Sequence, residues 1–162
     1  MPVKSHPSFK ITTPSDLEIV VTRAFDAPRE LVFDCWTQPE HVRKWWGCRT
    51  AEMDVCDVDL RPGGAYRYTL RMPDGTECGF RGVYQEIMRP ERLIHSFIFD
   101  PYPHMPAEIT VTFTERDGVT TVTERTLHLT KEARDGHLHS GLDVGAAESL
   151  DRLAEHLDTL TC

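Results

Sequence analysis

The sequence predicts an α+β domain in which a curved antiparallel sheet wraps one long C-terminal helix. Alternating apolar and polar residues mark a run of strands between about residues 50 and 129, and one continuous apolar stripe follows over residues 142–160. Strands and helices segregated along a chain in this way favour α+β over an alternating α/β architecture. An antiparallel sheet buries one of its faces, and only the last segment, at about 1.5 Å per residue, is long enough to cover it.

The first part of the domain is predicted to be one strand followed by two short helices. Residues 17–25 alternate in the manner of a strand. Pro28 fits the first turn of a helix, where its missing N–H would have no partner in any case. The second helix is expected to begin at Thr37, which with Glu40 matches a capping box. It is expected to end at Gly47, a residue suited to the left-handed conformation.

Six more strands are predicted in the middle of the chain, which gives a sheet of about seven strands. Pro73-Asp74-Gly75 and Asp117-Gly118 are typical of hairpin turns, while the polar residues 131–139 are expected to form a loop. The last helix is expected to be capped by Ser140 with Asp143. Its apolar residues lie on one amphipathic face; they are Leu142, Ala146, Leu150, Leu153, Leu157 and Leu160.

Size, composition and charge indicate one globular domain. Of the 162 residues, 40% are hydrophobic and 27% are charged, a balance typical of folded proteins. Residues 1–15, with three prolines, are expected to be a loose N-terminal arm, and residues 16–162 a single domain. The formal net charge of −8 opposes binding to nucleic acid, which requires Lys and Arg clustered against phosphates.

The sequence shows no signal peptide, no membrane-spanning run and no C-x-x-C motif, and these absences are the basis for predicting location and cofactor chemistry. The chain begins without the apolar segment of a signal peptide, and no apolar run approaches the roughly 18 residues that span a bilayer. A cytoplasmic protein without membrane insertion is therefore expected. The five cysteines form no C-x-x-C pair and are interpreted as structural. No cofactor or metal is expected, and His137 and His139 are interpreted as solvated in preference to metal ligands.

One face of the predicted sheet carries aromatic side chains that would line a cavity under the last helix. Apolar walls with a few polar groups are typical of a small-ligand site. A buried histidine on this face, His95, could act as a general base near neutral pH. The alternatives are a filled core, a histidine without a chemical role, and a Trp46 that only anchors its helix. The predicted ligand-binding residues are Trp46, Tyr66, Tyr68, His95, Phe97, Phe99, Leu150 and Leu153.

Charged residues within the strands offer a second kind of site. Glu86, Glu124 and Arg125 lie in predicted strands, where an inward Arg could hold a ligand carboxylate and an inward Glu could protonate a substrate. We interpret all three side chains as lying on the convex, solvated face of the sheet.

Five segments of the chain form a recognisable set. They are FDAPRELVFDCWTQPEHVRKWWG at 25–47, RPGG at 61–64, GVYQEI at 82–87, PERL at 90–93 and SLDRL at 149–153. Together they closely resemble the family named for the activator of heat-shock ATPase homologue, within the START/SRPBCC superfamily. The resemblance covers about residues 16–160 and implies a helix-grip fold with a cavity between the sheet and the C-terminal helix.

The resemblance also implies a range of functions, because that superfamily includes lipid carriers, polyketide cyclases, aromatases and co-chaperone domains. We expect a non-enzymatic protein that binds a small hydrophobic or aromatic molecule. One alternative is a cofactor-free cyclase, aromatase or hydrolase with a buried acid–base pair, and another is a co-chaperone-like module acting on a heat-shock ATPase. An exposed sheet edge could support a homodimer. Many family members carry a large aromatic residue early in the last helix, where Gly145-Ala146-Ala147 would widen the cavity unless bulkier neighbours fill it.

Overall fold

A computed structural model describes residues 6–161 of the chain. All of its strands belong to one antiparallel sheet in the order β1-β2-β8-β7-β6-β5-β4-β3. The elements are β1 (Lys10–Thr12), β2 (Glu18–Phe25), α1 (Arg29–Thr37), α2 (Pro39–Trp45), β3 (Glu52–Val58), β4 (Ala65–Arg71), β5 (Glu77–Met88), β6 (Arg92–Phe99), β7 (Ala107–Arg116), β8 (Val119–Leu127), α3 (Lys131–Leu138) and α4 (Leu142–Leu160). The predicted α+β helix-grip architecture is confirmed.

The described sheet has eight strands, one more than the sequence predicts. The additional strand is β1, which lies within the segment expected to be a loose arm and pairs with β2, with Ile11 opposite Val21. Three residues of strand are too few for a visible alternation, so the sequence pattern gives no signal there. The first five residues of the predicted arm lie outside the described residues.

The segment predicted as a loop after β8 is the helix α3. Thr130 caps it, because its hydroxyl accepts a hydrogen bond from the backbone N–H of Ala133 at 3.1 Å. Arg134 is buried in the helix and donates to the carbonyl of Ser15 at 2.7 Å. A polar side chain therefore joins α3 to the rest of the fold. Because α3 does not depend on an apolar face for this contact, residues 131–138 carry no apolar stripe that would have indicated a helix.

Both predicted capping boxes are wrong. The helix α2 is preceded by Gln38, because the Thr37 hydroxyl instead donates back to the carbonyl of Phe33 at 2.9 Å. The helix α4 follows Gly141, whose φ is +90°, and the Ser140 hydroxyl donates to the carbonyl of His137 at 2.6 Å. In both cases the hydroxyl bonds to a carbonyl of the preceding helix, a local alternative to capping that competes for Ser and Thr.

The core lies between the concave face of the sheet and the helices. The stripe of α4 contributes Leu150, Leu153 and Leu157, all buried. The ends of the predicted stripe are less covered, since Leu160 is 40% exposed. Gly47 follows α2 with a φ of +94°, the left-handed conformation that the sequence predicts for it.

Candidate functional site

A cavity of about 330 Å³ lies between the concave face of the sheet and α4. Its walls come from strands β2, β4, β5, β6, β7 and β8 and from the start of α4. Three residues that line it, Ser140, Gly141 and Gly145, are also exposed at the surface. The mouth of the cavity is therefore at the junction of α3 and α4. A volume of this size is at the lower end of the range for small-molecule sites.

Six of the eight residues predicted to bind a ligand line this cavity. Phe99 does not line it, and instead stacks on Phe80 with ring centroids 5.1 Å apart. Leu153 is fully buried in the core below the cavity floor. The alternating residues Tyr66 and Tyr68 of β4 and His95 and Phe97 of β6 line the cavity, an orientation that the sequence alone left open. The six lining residues are Trp46, Tyr66, Tyr68, His95, Phe97 and Leu150.

A cluster of three tyrosines forms one wall of the cavity. The ring centroid of Tyr66 lies 5.2 Å from that of Tyr68 and 5.4 Å from that of Tyr84. Trp46 packs on Tyr68 at 4.9 Å, and so extends the aromatic surface toward α2. Burial raises the pKa of all three tyrosines, so each hydroxyl keeps its proton and remains able to donate at neutral pH.

A short hydrogen-bond network fixes Tyr66 in this wall. Its hydroxyl donates to the carbonyl of Ser96 at 2.7 Å and lies 3.0 Å from Nδ1 of His95. The network depends on Gly82 of the intervening strand, since a Cβ atom there would lie 2.6 Å from Cε1 of Tyr66. Gly82 thus permits the close approach of a ring to the backbone, a common use of glycine in strands.

His95 is a weak base in this position. Burial lowers its pKa to about 4, and only a backbone hydrogen bond to Ser96 opposes the shift. The imidazole is therefore neutral at physiological pH. A general base works best with a pKa near the operating pH, so the environment of His95 does not suit the role considered for it from the sequence.

Glu124 points into the cavity, contrary to its predicted place on the solvated face. Its neighbours on the same face are Val21 of β2 and Val111 of β7, both apolar and buried. Desolvation by this surrounding raises the pKa of the Glu124 carboxyl from 4.5 to about 7. Among residues 6–161, none forms a hydrogen bond or an ion pair with this carboxyl. The cavity thus contains a carboxyl without a protein partner.

The other two charged strand residues do not line the cavity. Glu86 pairs with Arg92 at 2.7 Å, and Arg125 pairs with Glu18. Both ion pairs are accessible to solvent, which agrees with the predicted outward orientation of Glu86 and Arg125.

Arg23 is a second charged residue that lines the cavity and is missing from the sequence prediction. It is 4% exposed and donates to Asp151 of α4 at 2.9 Å and to the carbonyl of Ala24 at 2.6 Å. Its Nε–H is buried with no hydrogen-bond partner among the described residues. Because Asp151 balances its charge, Arg23 joins the sheet to α4 as a buried ion pair beside the cavity.

A histidine pair lies beside the cavity on the side of α3, where His137 is a lining residue. Nδ1 of His137 lies 3.0 Å from Nε2 of His128, and the His137 ring stacks on Phe97 with centroids 6.4 Å apart. Burial lowers the pKa of His137 to about 4. His137, which was interpreted as solvated, is therefore a neutral, partly buried lining residue.

Comparison with known proteins agrees with the fold. The sequence profile of the family described as activator of Hsp90 ATPase homolog 1-like protein matches residues 26–158. The chain belongs to this family. No curated protein matches the chain significantly. Among the described residues, no helix has the length and apolarity needed to cross a membrane.

Several solved structures share the fold over nearly all of the chain. A protein from Rhodobacter sphaeroides is 26% identical with a TM-score of 0.86, and the alignment covers 94% of this chain and 99% of that one. A protein from Mycobacterium smegmatis is 25% identical with a TM-score of 0.78, and the alignment covers 93% and 99%. A protein of the dynemicin biosynthetic locus is 22% identical with a TM-score of 0.68, and the alignment covers 90% of this chain and 48% of that one.

The structure also shows how this member of the Hsp90 ATPase activator homolog 1-like family fills the start of its last helix. Gly145 and Ala146 line the cavity, while Ala147 is buried against the core. A Cβ added at Gly145 would meet no atom within 4 Å. Bulkier neighbours therefore do not fill the space beside Gly145, and the small residues leave the cavity open at this end.

Proposed function

We propose that this protein binds a small, largely apolar aromatic molecule in the cavity under α4, with Glu124 as the group that orients it. The observation that supports this most strongly is the unpartnered carboxyl of Glu124. Glu124 is partly buried, so its carboxyl is accessible from the cavity although no protein group bonds to it. A carboxyl between two valines, inside a cavity that opens to solvent at one end, is available to a ligand that supplies a hydrogen-bond partner.

The walls indicate the chemistry of this ligand. Tyr66, Tyr68 and Trp46 offer flat apolar surfaces, on which an aromatic ring would stack in offset or edge-to-face geometry. Glu124 accepts hydrogen bonds when ionised and donates one when protonated. A ligand with an aromatic body and a hydroxyl, phenol or amine group therefore fits the site best.

Native mass spectrometry and thermal-shift screening test the binding function. Freshly purified protein is measured for a retained small molecule and then screened against aromatic alcohols, phenols, amines and acids. A ligand stabilises the fold by roughly 2.7 kcal/mol at one hundred times its dissociation constant. We expect Glu124→Gln to weaken binding at least tenfold. The matched control is Glu86→Gln, which removes a carboxylate outside the cavity and should leave the affinity unchanged.

A variant that fills the cavity provides the complementary experiment. Ala146→Trp places a large ring at the open end and should abolish the thermal shift while the circular dichroism spectrum stays that of the native fold. The proposal is wrong if no compound of the panel stabilises the native protein. It is also wrong if Ala146→Trp binds the same compounds with unchanged affinity.

A second candidate function is cofactor-free acid–base catalysis, and Glu124 is also the observation that favours it. A carboxyl with a pKa raised to about 7 has both protonation states populated at neutral pH, as a general acid or base requires. In this role it would take a proton from a bound substrate and return it at another atom. The neutral hydroxyl of Tyr84 would stabilise charge that develops on a substrate oxygen, whereas the proton of Tyr66 is already donated to the carbonyl of Ser96.

The two functions differ in what Glu124→Gln does. A binding protein shows no turnover with any compound that stabilises it, and the substitution changes only affinity. An enzyme converts one of those compounds, and the substitution lowers kcat far more than it changes KM. If His95 were the general base, a role that the sequence analysis considered, His95→Ala would abolish turnover and Glu124→Gln would not.

The co-chaperone hypothesis has its support in the description of the family, which names the Hsp90 ATPase. It predicts that the purified protein raises the rate of ATP hydrolysis by such an ATPase in a coupled assay. An unchanged rate at saturating protein removes it without affecting the ligand-binding proposal, because the cavity does not enter that experiment.

A further inference from the structure

Three metal-ligating side chains converge where α1, α2 and α4 meet, and none of them lines the cavity under α4. They are Cys35 of α1, His41 of α2 and His156 of α4. Nδ1 of His41 lies 2.9 Å from Nε2 of His156. The Cys35 sulfur and these two ring nitrogens all lie within 4.8 Å of one another.

The packing of the three helices holds these ligand atoms together. The carbonyl of Cys35 accepts a hydrogen bond from Nε1 of Trp45 at 2.8 Å, which ties α1 to α2. Cys35 is fully buried. The rings of His41 and His156 are tilted by 54° with centroids 5.2 Å apart, so their nitrogens face one another and are not stacked. Both histidines are only partly buried.

We propose that Cys35, His41 and His156 form a zinc site that joins α4 to the two short helices. One thiolate and two imidazoles are ligands that zinc prefers, and three protein ligands leave a fourth tetrahedral position for water. Bond lengths of about 2.0 Å to nitrogen and 2.3 Å to sulfur place the ligand atoms of a tetrahedral zinc site roughly 3.3 to 3.5 Å apart. The two nitrogens lie 2.9 Å apart, just below that range, and no two of the three ligand atoms are more than 4.8 Å apart, so shifts of about 1.3 Å or less would admit the ion.

The proton balance of binding is simple. The thiol of Cys35 gives up its proton to water, because the thiolate is the metal ligand. The hydrogen atom now shared between His41 and His156 moves to the other nitrogen of its ring, so neither imidazole loses a proton overall. A site with one thiolate, two neutral imidazoles and Zn²⁺ therefore carries a net charge of +1 and releases one proton.

The ion can reach the site from the surface. His156 also lines a shallow groove together with Lys44, Arg152 and Thr159. Arg152 donates to the carbonyls of Gly47 and Cys48, so its guanidinium is already engaged with the backbone. Because His156 lines this groove, water would have access to the bound ion from the side of α4.

Titration of the untagged, metal-free protein with Co²⁺ tests the site, because tetrahedral cobalt reports its ligands spectroscopically. We expect one equivalent to bind with an intense thiolate-to-cobalt charge-transfer band and with d–d bands typical of tetrahedral geometry. Added Zn²⁺ should displace the cobalt and remove both sets of bands. The charge-transfer band should disappear in Cys35→Ser, and His156→Gln should weaken the affinity for Co²⁺ at least tenfold.

Matched substitutions separate this site from adventitious binding. Cys78→Ser and His104→Gln change a cysteine and a histidine that lie outside the cluster, and we expect both to leave the spectrum unchanged. Because Cys35 is buried and its variant could fold poorly, His156→Gln at a partly exposed position provides the decisive measurement. The proposal is overturned if Co²⁺ does not bind with the thiolate band, or if His156→Gln binds it like the native protein. None of these readouts depends on the ligand of the cavity.

Discussion

At the scale of single residues, Glu124 couples the candidate site to the stability of the fold. Its carboxyl titrates near pH 4.5 when exposed and near pH 7 in the folded protein. Between these values the folded state binds more protons than the unfolded state, so the free energy of unfolding decreases as the pH rises. The full difference of pKa corresponds to about 3 kcal/mol, which is a large part of the stability of a small domain.

We therefore expect Glu124→Gln to raise the free energy of unfolding at high pH and to change this free energy little at low pH. The amide cannot ionise, so the variant lacks the loss of stability between about pH 4.5 and 7. Urea denaturation at pH 5 and pH 8 measures the effect, and the variant should gain up to about 3 kcal/mol over the native protein at the higher pH. An equal difference between the two proteins at both pH values would contradict the burial of this carboxyl.

The residues of the cavity wall were predictable to different degrees. Tyr66 and Tyr68 alternate with Arg67 and Thr69, so the sequence predicts that the two tyrosines share one face of β4, although it leaves open which face points to α4. The strand around Glu124 gives no such contrast, because it is Thr-rich on both faces. There the orientation is set by pairing with Val21 and Val111, which a single sequence does not reveal.

At the scale of elements, the long helix α4 provides the strongest packing test. Leu153 is fully buried, whereas Leu160 at the end of the same stripe is 40% exposed. Leu153→Ala should lower the free energy of unfolding by about 2 to 5 kcal/mol, through lost burial and a residual cavity. Leu160→Ala should change it by about 0.5 kcal/mol or less. Urea midpoints at constant slope measure both; similar losses would show that the helix packs along a different face.

Replacing two glycines by alanine, Gly145 within α4 and Gly47 just after α2, should change the stability of the protein in opposite directions. Gly145 lies within α4, and a Cβ there would meet no atom within 4 Å, so Gly145→Ala should stabilise the protein by about 0.5 to 1 kcal/mol. Gly47 has a φ of +94°, and a Cβ there would lie 2.8 Å from Cδ1 of Leu70. Gly47→Ala should destabilise it by about 1 to 2 kcal/mol. Thermal unfolding of both variants is the measurement, and shifts of the same sign would contradict this account.

The sequence missed two elements: β1, which is too short to show an alternation, and α3, which polar contacts join to the fold. The helix α3 depends on the cap by Thr130 and on Arg134 bonded to the carbonyl of Ser15, neither of which has a periodic signature. The long helix and the strands of the meander were predictable because hydrophobic burial repeats along them at the helical or strand period.

At the scale of the whole molecule, groups buried in and around the cavity set opposite pH dependences. Glu124 stabilises the folded state toward lower pH. His95 and His137 act against it, because burial lowers the pKa of each from 6.5 to about 4. Their neutral forms are favoured in the folded state, so their contribution is complete above pH 6.5 and is lost as the pH falls toward 4. Between about pH 4.5 and 6.5 these opposing effects partly cancel, which predicts a shallow profile for the native protein.

Removal of one histidine should expose this balance. His137→Gln cannot gain a proton, so between pH 7 and pH 4.5 it should lose about 2 to 3 kcal/mol less of its free energy of unfolding than the native protein does. The substitution alters the contact with His128 at both pH values. That effect largely cancels when the change in unfolding free energy between the two pH values is compared for the variant and the native protein. His104→Gln, at an exposed position, is the control and should follow the native profile. Parallel urea-denaturation profiles for His137→Gln and the native protein would show that the His137 ring is hydrated in the folded state and would contradict its burial against Phe97.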